Sequence, residues 1–346
     1  MGRRTNARSE PGNRADPHRN AGPRARGDAA GAASGVRTRP QVARRRTGLA
    51  KWAIIGLVVA ATVVGYSSLV SSELAFSGDR AFECLRKQVA FGPRPVGWAA
   101  HEKCRAYLGS ELRRYVDKLY YQDFAWSNNG RKYRLTNIVG VLNPSAPKKI
   151  VVGAHWDTRP TADMEPLPAD RSRPIPGAND GASGASVVVE LARALQANRP
   201  KVGVIFVLFD GEDYGPGIDR MFMGSEYYGA HPIPSKPSEA IVVDMVGDAN
   251  LNIPKEPGSV SSDPKLVDAI WNTASGLGYY QFSPSTGPTV MDDHTSLQNQ
   301  GIPAIDIIDF EYPPWHTLQD TVDKCSPESL EVVGRTLEKY LRGLPG

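Results

Sequence analysis

Val202-Gly-Val-Ile-Phe-Val-Leu-Phe209 runs directly into Asp210-Gly-Glu-Asp213. An apolar run this short, bounded by Lys201 and by acids, reads as a strand covered on both faces. Three other segments repeat the pattern. Lys148-Lys-Ile-Val-Val-Gly-Ala154 runs into His155-Trp156-Asp157, and Ala240-Ile-Val-Val-Asp-Met-Val246 carries Asp244 and leads to Asp248. Pro303-Ala-Ile-Asp-Ile-Ile308 carries Asp306, leads to Asp309 and is soon followed by His316. Helical stretches are expected at 79–89, 99–119, 183–198, 264–277 and 327–341. Strands alternating with helices predict an α/β domain, a three-layer sandwich with a central, mostly parallel mixed sheet flanked by helices. Ligand sites of such sheets lie beyond the carboxyl ends of the strands, so acids and histidines distant in sequence can meet there.

The chain has 346 residues, 40% of them hydrophobic, which is ample for one sizeable core. Its charge is unevenly spread. Residues 1–51 hold 12 Arg and one Lys against three acids, a net of +10, and the remainder holds 28 basic and 34 acidic residues, a net of −6. Residues 1–47 contain no Phe, Trp or Tyr and no apolar period, so residues 1–51 read as a disordered basic tail. The tail abuts an apolar run, which favours a membrane over a nucleic acid as its partner. From Trp52 to Val70 there are nineteen uncharged residues, enough at about 1.5 Å each to cross a bilayer core as a helix. A cleaved signal peptide would have a shorter apolar region and a shorter leader, so an uncleaved anchor is expected at 52–70. Arg44, Arg45, Arg46 and Lys51 on its N-terminal side place the tail in the cytoplasm. Everything after Val70 is then exported, to the periplasmic or extracellular side, with a catalytic domain at 76–345. Cys84, Cys104 and Cys325 are too few for a disulfide scaffold and form no CxxC pair; export would permit one bridge, expected at Cys84–Cys104.

Asp180 lies in Gly177-Ala-Asn-Asp-Gly-Ala-Ser-Gly184, a turn-rich loop that opens the 183–198 helix. Read singly, Asp180 is a helix cap, Asp213 a solvated loop acid and His316 an ordinary histidine. Asp244, an ionisable group inside an apolar strand, needs a partner. Carboxylates gathered at one sheet edge repel unless a cation or proton intervenes. Zinc accepts both Asp/Glu oxygen and His nitrogen, and the lack of nearby Cys with His present favours it over calcium.

Taken together these segments resemble the zinc metallopeptidase family that contains both two-zinc aminopeptidases and the animal-type glutaminyl cyclases. The resemblance runs from about Ala81 to the C-terminus. Gly177-Ala-Asn-Asp180 resembles the loop with the central metal-ligand Asp. Phe209-Asp-Gly-Glu-Asp213 resembles the segment with the catalytic Glu and an acidic ligand, and Trp315-His-Thr317 the segment with the last His ligand. Trp315 beside His316, Asp292-Asp293-His294 and Val243-Asp-Met-Val-Gly247 are closer to the cyclases. Two positions depart from the pattern: the third ligand is Asp213 where Glu is usual, and Asp306 stands where animal cyclases have His.

The resemblance implies one zinc on Asp180, Asp213 and His316, with Glu212, Asp244 and Asp292 catalytic and Trp315 and Asp306 binding substrate. The substrate would be the N-terminus of a peptide or protein, and the reaction conversion of an N-terminal glutamine to pyroglutamate with release of ammonia. An aminopeptidase of the same family would hold a second zinc on His155 and Asp244. A third reading is a non-catalytic, membrane-tethered binding domain. The long loop 159–176, rich in Pro, Arg and Asp, has two readings, a rim of the site or a mere spacer.

Overall fold

A computed structural model describes residues 75–346. The tail at 1–51 and the span at 52–70 lie outside the described residues. Among the described residues no helix is long and apolar enough to cross a membrane.

Helix α1 (Gly78–Val89) begins at Ser77, whose side chain accepts the Arg80 N–H, and carries Asp79 in its first turn with Arg86 and Lys87 in its last. Those charges match the helix dipole. Helix α2 (Ala99–Arg113) ends sooner than the expected 119. The chain turns and enters β1 (Lys118–Asn128), which pairs antiparallel with β2 (Arg131–Leu142) across Asn129-Gly130. Both turn residues have positive φ, 48° and 77°, the conformation that Asn-Gly hairpin turns adopt. The expectation lacked this hairpin because β1 lies mostly at the surface and has no continuous apolar run.

The core then alternates as expected. β3 (Lys149–His155), α3 (Ala182–Ala197), β4 (Gly203–Phe209), α4 (Met223–Ala230) and β5 (Glu239–Asp244) come first. They are followed by β6 (Ile253–Lys255), α5 (Pro257–Ser262), α6 (Pro264–Gly276), β7 (Phe282–Thr286), α7 (Asp293–Asn299), β8 (Ala304–Ile308) and α8 (Pro327–Gly343). The main sheet has the order β1-β2-β4-β3-β5-β8, and β6 and β7 form a small second one. β3 is parallel to β4 and β5, and β5 to β8, whereas β2 is antiparallel to β4. The sheet is therefore mixed.

Alternate strand residues face opposite layers. Ile150, Val152, Phe206, Leu208, Ile241, Val243 and Ile307 pack with α1, α2, α3, α6 and α8. Val151, Ile205, Val207, Phe209 and Val242 pack with Tyr228 of α4 and Leu297 of α7. Both faces are covered, which is why these strands read as unbroken apolar runs. Gly184 lets α3 lie directly on the end of β5; a Cβ there would sit 2.1 Å from the Val243 carbonyl oxygen.

The expected Cys84–Cys104 bridge is corrected. All three cysteines are free and buried. Gln88 lies between the first two, 3.8 Å from Cys84 Sγ and 3.9 Å from Cys104 Sγ, and its amide also donates to Ala182 O and Ser186 Oγ.

Candidate metal centre and active site

His155 closes β3 and Asp244 closes β5, while Asp213 and His316 lie just beyond the ends of β4 and β8. Parallel strands thus deliver all four to one edge of the sheet. Asp180 joins them from the loop before α3. That loop is held by the Asp320 carboxylate, which accepts the N–H groups of Asn179 and Asp180 at 2.8 and 3.1 Å and the Tyr312 hydroxyl at 2.9 Å. The next residue, Gly181, has φ 97°, and a Cβ there would lie 2.5 Å from Asp157 O and 3.0 Å from the His155 ring. Only glycine lets the loop approach His155 so closely. Asp157 accepts the N–H groups of Glu212 and Asp213 at 3.1 and 3.2 Å and so sets the turn that carries both.

His316 Nε2 lies 3.4 Å from Asp180 Oδ2 and 3.5 Å from Asp213 Oδ1. One ligand atom from each of the three residues lies within 4.8 Å of the others, and all three side chains are buried. Tetrahedral zinc with bonds of about 2.0–2.2 Å places its ligand atoms roughly 3.3–3.6 Å apart. Asp180 Oδ2 and Asp213 Oδ2 are buried without a hydrogen-bond partner among the described residues. Buried carboxylate oxygens require a partner, so the donor set fits a divalent ion. Burial alone would push the His316 imidazole pKa down, but Asp213 and Asp180 prevail and raise it to about 9.

His155 Nε2 is 3.1 Å from Asp244 Oδ1 and 3.2 Å from Asp180 Oδ1. Its Nδ1 is 3.6 Å from both Asp157 and Glu212. Burial raises the Asp244 carboxyl to about 7 against the opposing pull of His155. Glu212 is pushed well above the carboxylate range, first by burial and then by Asp213, Asp292 and Asp293, with His155 opposing. A carboxyl shifted towards neutrality and facing a pocket is suited to carrying a proton.

The pocket over these groups is narrow. Glu212, Asp244 and Asp292 face it together with the three candidate ligands, and Trp315, Phe310, Ile308, Met245 and Val290 form an apolar wall. The Trp315 ring stacks on His316 with centroids 3.9 Å apart. Asp306, expected to touch substrate, is fully buried and does not line the pocket. It lies 3.5 Å from His294 Nδ1, and His294 is 3.5 Å from Glu256 on its other side. A wider cleft of about 520 Å³ lies among α1, α2 and α3. None of Asp180, Asp213, His316, His155, Asp244 and Glu212 lines it.

Sequence reasoning brought together Asp180, Asp213, His316, His155, Asp244, Glu212, Asp292 and Trp315. It missed the residues that hold them: Asp157, Asp320, Arg159 and Asp163. Arg159 donates to Asp213 Oδ1 at 2.6 Å, and Asp163 lies 3.8 Å from His316 Nδ1. The charged run His155-Trp-Asp-Thr-Arg159, placed just after a strand, was the available signal for Asp157 and Arg159.

The solved structures similar to this fold include the glutaminyl cyclase of Tannerella forsythia. It has a TM-score of 0.75 and 36% identity, and the match covers 78% of this chain and 100% of that one. A Zn-dependent exopeptidase from Parabacteroides distasonis matches as well, with a TM-score of 0.75, 34% identity and 78% and 99% coverage. In sequence, the chain is 22% identical to the glutaminyl-peptide cyclotransferase of Bos taurus over 244 residues, covering 60% of this chain and 65% of that enzyme. The family model for peptidase family M28 matches residues 137–341, from β2 through α8 and across every residue of the site. The chain belongs to peptidase family M28.

Proposed function

We propose that the chain is a zinc-dependent glutaminyl-peptide cyclotransferase. One observation carries this reading: the pocket against His316 is narrow, walled by Trp315 and faced by Glu212, Asp244 and Asp292. Such a slot suits a flat side-chain amide, with carboxylates placed for the two nitrogens that exchange roles. Zinc on Asp180, Asp213 and His316 would supply Lewis-acid polarisation of the γ-carbonyl. The free α-amine of the N-terminal glutamine attacks that carbon within the same molecule, so most of the orientation entropy is already met. A new bond from the α-nitrogen to the side-chain carbonyl carbon, Cδ, closes the five-membered ring, the bond from that carbon to the amide nitrogen breaks, and ammonia leaves. Glu212 takes the proton from the attacking amine and returns it to the departing nitrogen. Asp244 and Asp292 hold and align the nitrogens.

A second reading is favoured by His155, whose Nε2 lies within 3.2 Å of both Asp180 and Asp244. A second zinc on these residues would suit an aminopeptidase, with Glu212 deprotonating the water that attacks the first peptide bond. The test is to incubate the purified full-length protein and zinc with two peptides, one beginning with Gln and one with Leu. A cyclase converts the first to a product lighter by one ammonia, with the peptide otherwise intact. Free Leu with no pyroglutamate product would replace the cyclase reading with the peptidase one.

We also propose that residues 52–70 anchor the enzyme with residues 1–51 in the cytoplasm and the catalytic domain exported. The support is the charge step from Arg44 to Lys51 followed by nineteen uncharged residues. Protease added outside an intact cytoplasmic membrane should digest the domain and spare the tail; a protected domain would reverse the orientation.

A further inference from the structure

Of the two readings the sequence left for the loop 159–176, rim or spacer, the structure favours the first: Arg159 and Asp163 lie beside Asp213 and His316. It is closed on itself, with Ala162 N–H donating to Arg173 O at 2.6 Å and Ile175 N–H to Arg159 O at 3.3 Å. Arg94, fully buried, pins its far end, donating to Pro176 O at 3.1 Å and Gly177 O at 2.6 Å. The near end carries Arg159, only 3% exposed, whose guanidinium fills the room that a side chain at position 215 would need. A Cβ on Gly215 would sit 2.6 Å from Arg159 Cζ.

The guanidinium contacts one candidate ligand directly and approaches the other through Asp163. Its Nε and Nη2 lie 2.6 and 2.5 Å from Asp213 Oδ1, leaving Oδ2 without a partner among the described residues. Its Nη1 lies 3.2 Å from Asp163, and Asp163 is 3.8 Å from His316 Nδ1. The same loop grips the His316 turn by its backbone. Met164 N–H donates to His316 O at 3.2 Å, and Leu318 N–H to the Glu165 carboxylate at 2.7 Å. His316 needs that grip, because its φ of 53° is a conformation that L side chains rarely adopt.

We infer that Arg159 is a positioning residue for the metal, locking Asp213 directly and His316 through Asp163 into one preformed ligand pair. The two ligands lie on different loops, after β4 and after β8, and Asp213 has a short side chain. Among the described residues, Arg159 is the hydrogen-bond donor that holds this carboxylate in place. A planar fork with donors in fixed directions can hold both carboxylates, whereas an ammonium is a point donor. Partners of this kind typically contribute tenfold to a hundredfold in metal affinity.

The inference rests on the zinc reading above, and the sign of the effect makes it testable. A guanidinium beside a zinc site repels the ion, so if charge were its only influence, its removal would tighten binding. Positioning predicts the reverse. Zinc affinity is measured by chelator competition on the full-length protein, alongside the unfolding midpoint of the metal-free form and the visible spectrum of the cobalt-loaded form. Arg159→Met is expected to weaken zinc binding by about 10–100-fold. Arg159→Lys, which keeps the charge and most of the volume, should fold, bind more weakly than the parent and show an altered cobalt spectrum. Asp163→Asn, at a partly exposed position, should weaken binding with no change in the metal-free midpoint. If Arg159→Lys and Asp163→Asn match the parent in affinity and spectrum, or if Arg159→Met binds zinc more tightly, Arg159 has no positioning role. His316→Ala in the same titration separates the two readings. A parent whose zinc falls with His316→Ala but not with the loop variants overturns the arginine's role alone, and a parent that takes up no zinc overturns both.

Discussion

Glu212→Gln is expected to lower turnover by about 10²–10⁴-fold while zinc content and fold stay as in the parent. The amide keeps the shape of the carboxyl group and removes its ability to take up and return a proton. The position suits the role. Glu212 lies in the pocket between candidate ligand Asp213 and His155, its backbone N–H is tied to Asp157, and burial and neighbouring acids shift it towards neutrality. The same substitution serves both enzymatic readings, because each needs one proton carrier over the polarised carbonyl. Turnover is followed with the substrate that the two-peptide assay selects, and zinc by elemental analysis of the same preparation. A Glu212→Gln enzyme with near-parent turnover and full zinc would move the proton transfer to another group, with Asp292 and Asp244 the remaining carboxylates of the pocket.

His316→Ala is expected to abolish tight zinc binding, costing roughly more than the hundredfold that loss of an outer partner costs. It removes the only nitrogen donor of the Asp180–Asp213–His316 group and leaves two buried carboxylates facing each other without counter-charge. Retention of full zinc content by elemental analysis would overturn the ligand assignment. The same residue sets a pH dependence. In the metal-free protein, Asp180 and Asp213 raise His316 to about 9 against the effect of burial, so below that pH the imidazole carries a proton that zinc must displace. Apparent zinc affinity therefore falls as pH is lowered from 9, approaching tenfold per unit from this group alone. Chelator competition at several pH values reads the slope directly.

Much of the site was legible because of how parallel sheets are built. A strand covered on both faces has to be apolar throughout, so the polar residues at its end stand out and lie on the edge where ligands bind. That is why His155, Asp244 and the acids of 210–213 stood out among 37 acids and six histidines, while the family resemblance singled out Asp213 and His316 as ligands. Asp244 was additionally marked by sitting in an apolar strand, and the structure pairs it with His155. The β1–β2 hairpin was not legible in the same way. Its outer strand is an edge strand with half-exposed aromatic and polar residues, and only Asn129-Gly130 announced the turn.

The sequence by itself determined the α/β class, the four core strands and the set of residues gathered at their carboxyl ends. These follow from hydrophobic period and position along the chain, both local properties. Only the tertiary structure decided how those residues are held. Asp306 is identical in type to Asp292, yet packing buries it away from the pocket that Asp292 faces. Cys84 and Cys104 both approach Gln88 without bonding to each other. Arg159 is one of 41 basic residues, and its burial against Asp213, 54 positions away, is set by the closure of its loop and by the empty space at Gly215. Contacts of that kind depend on shape and distance across the folded protein, which no local pattern of residues encodes.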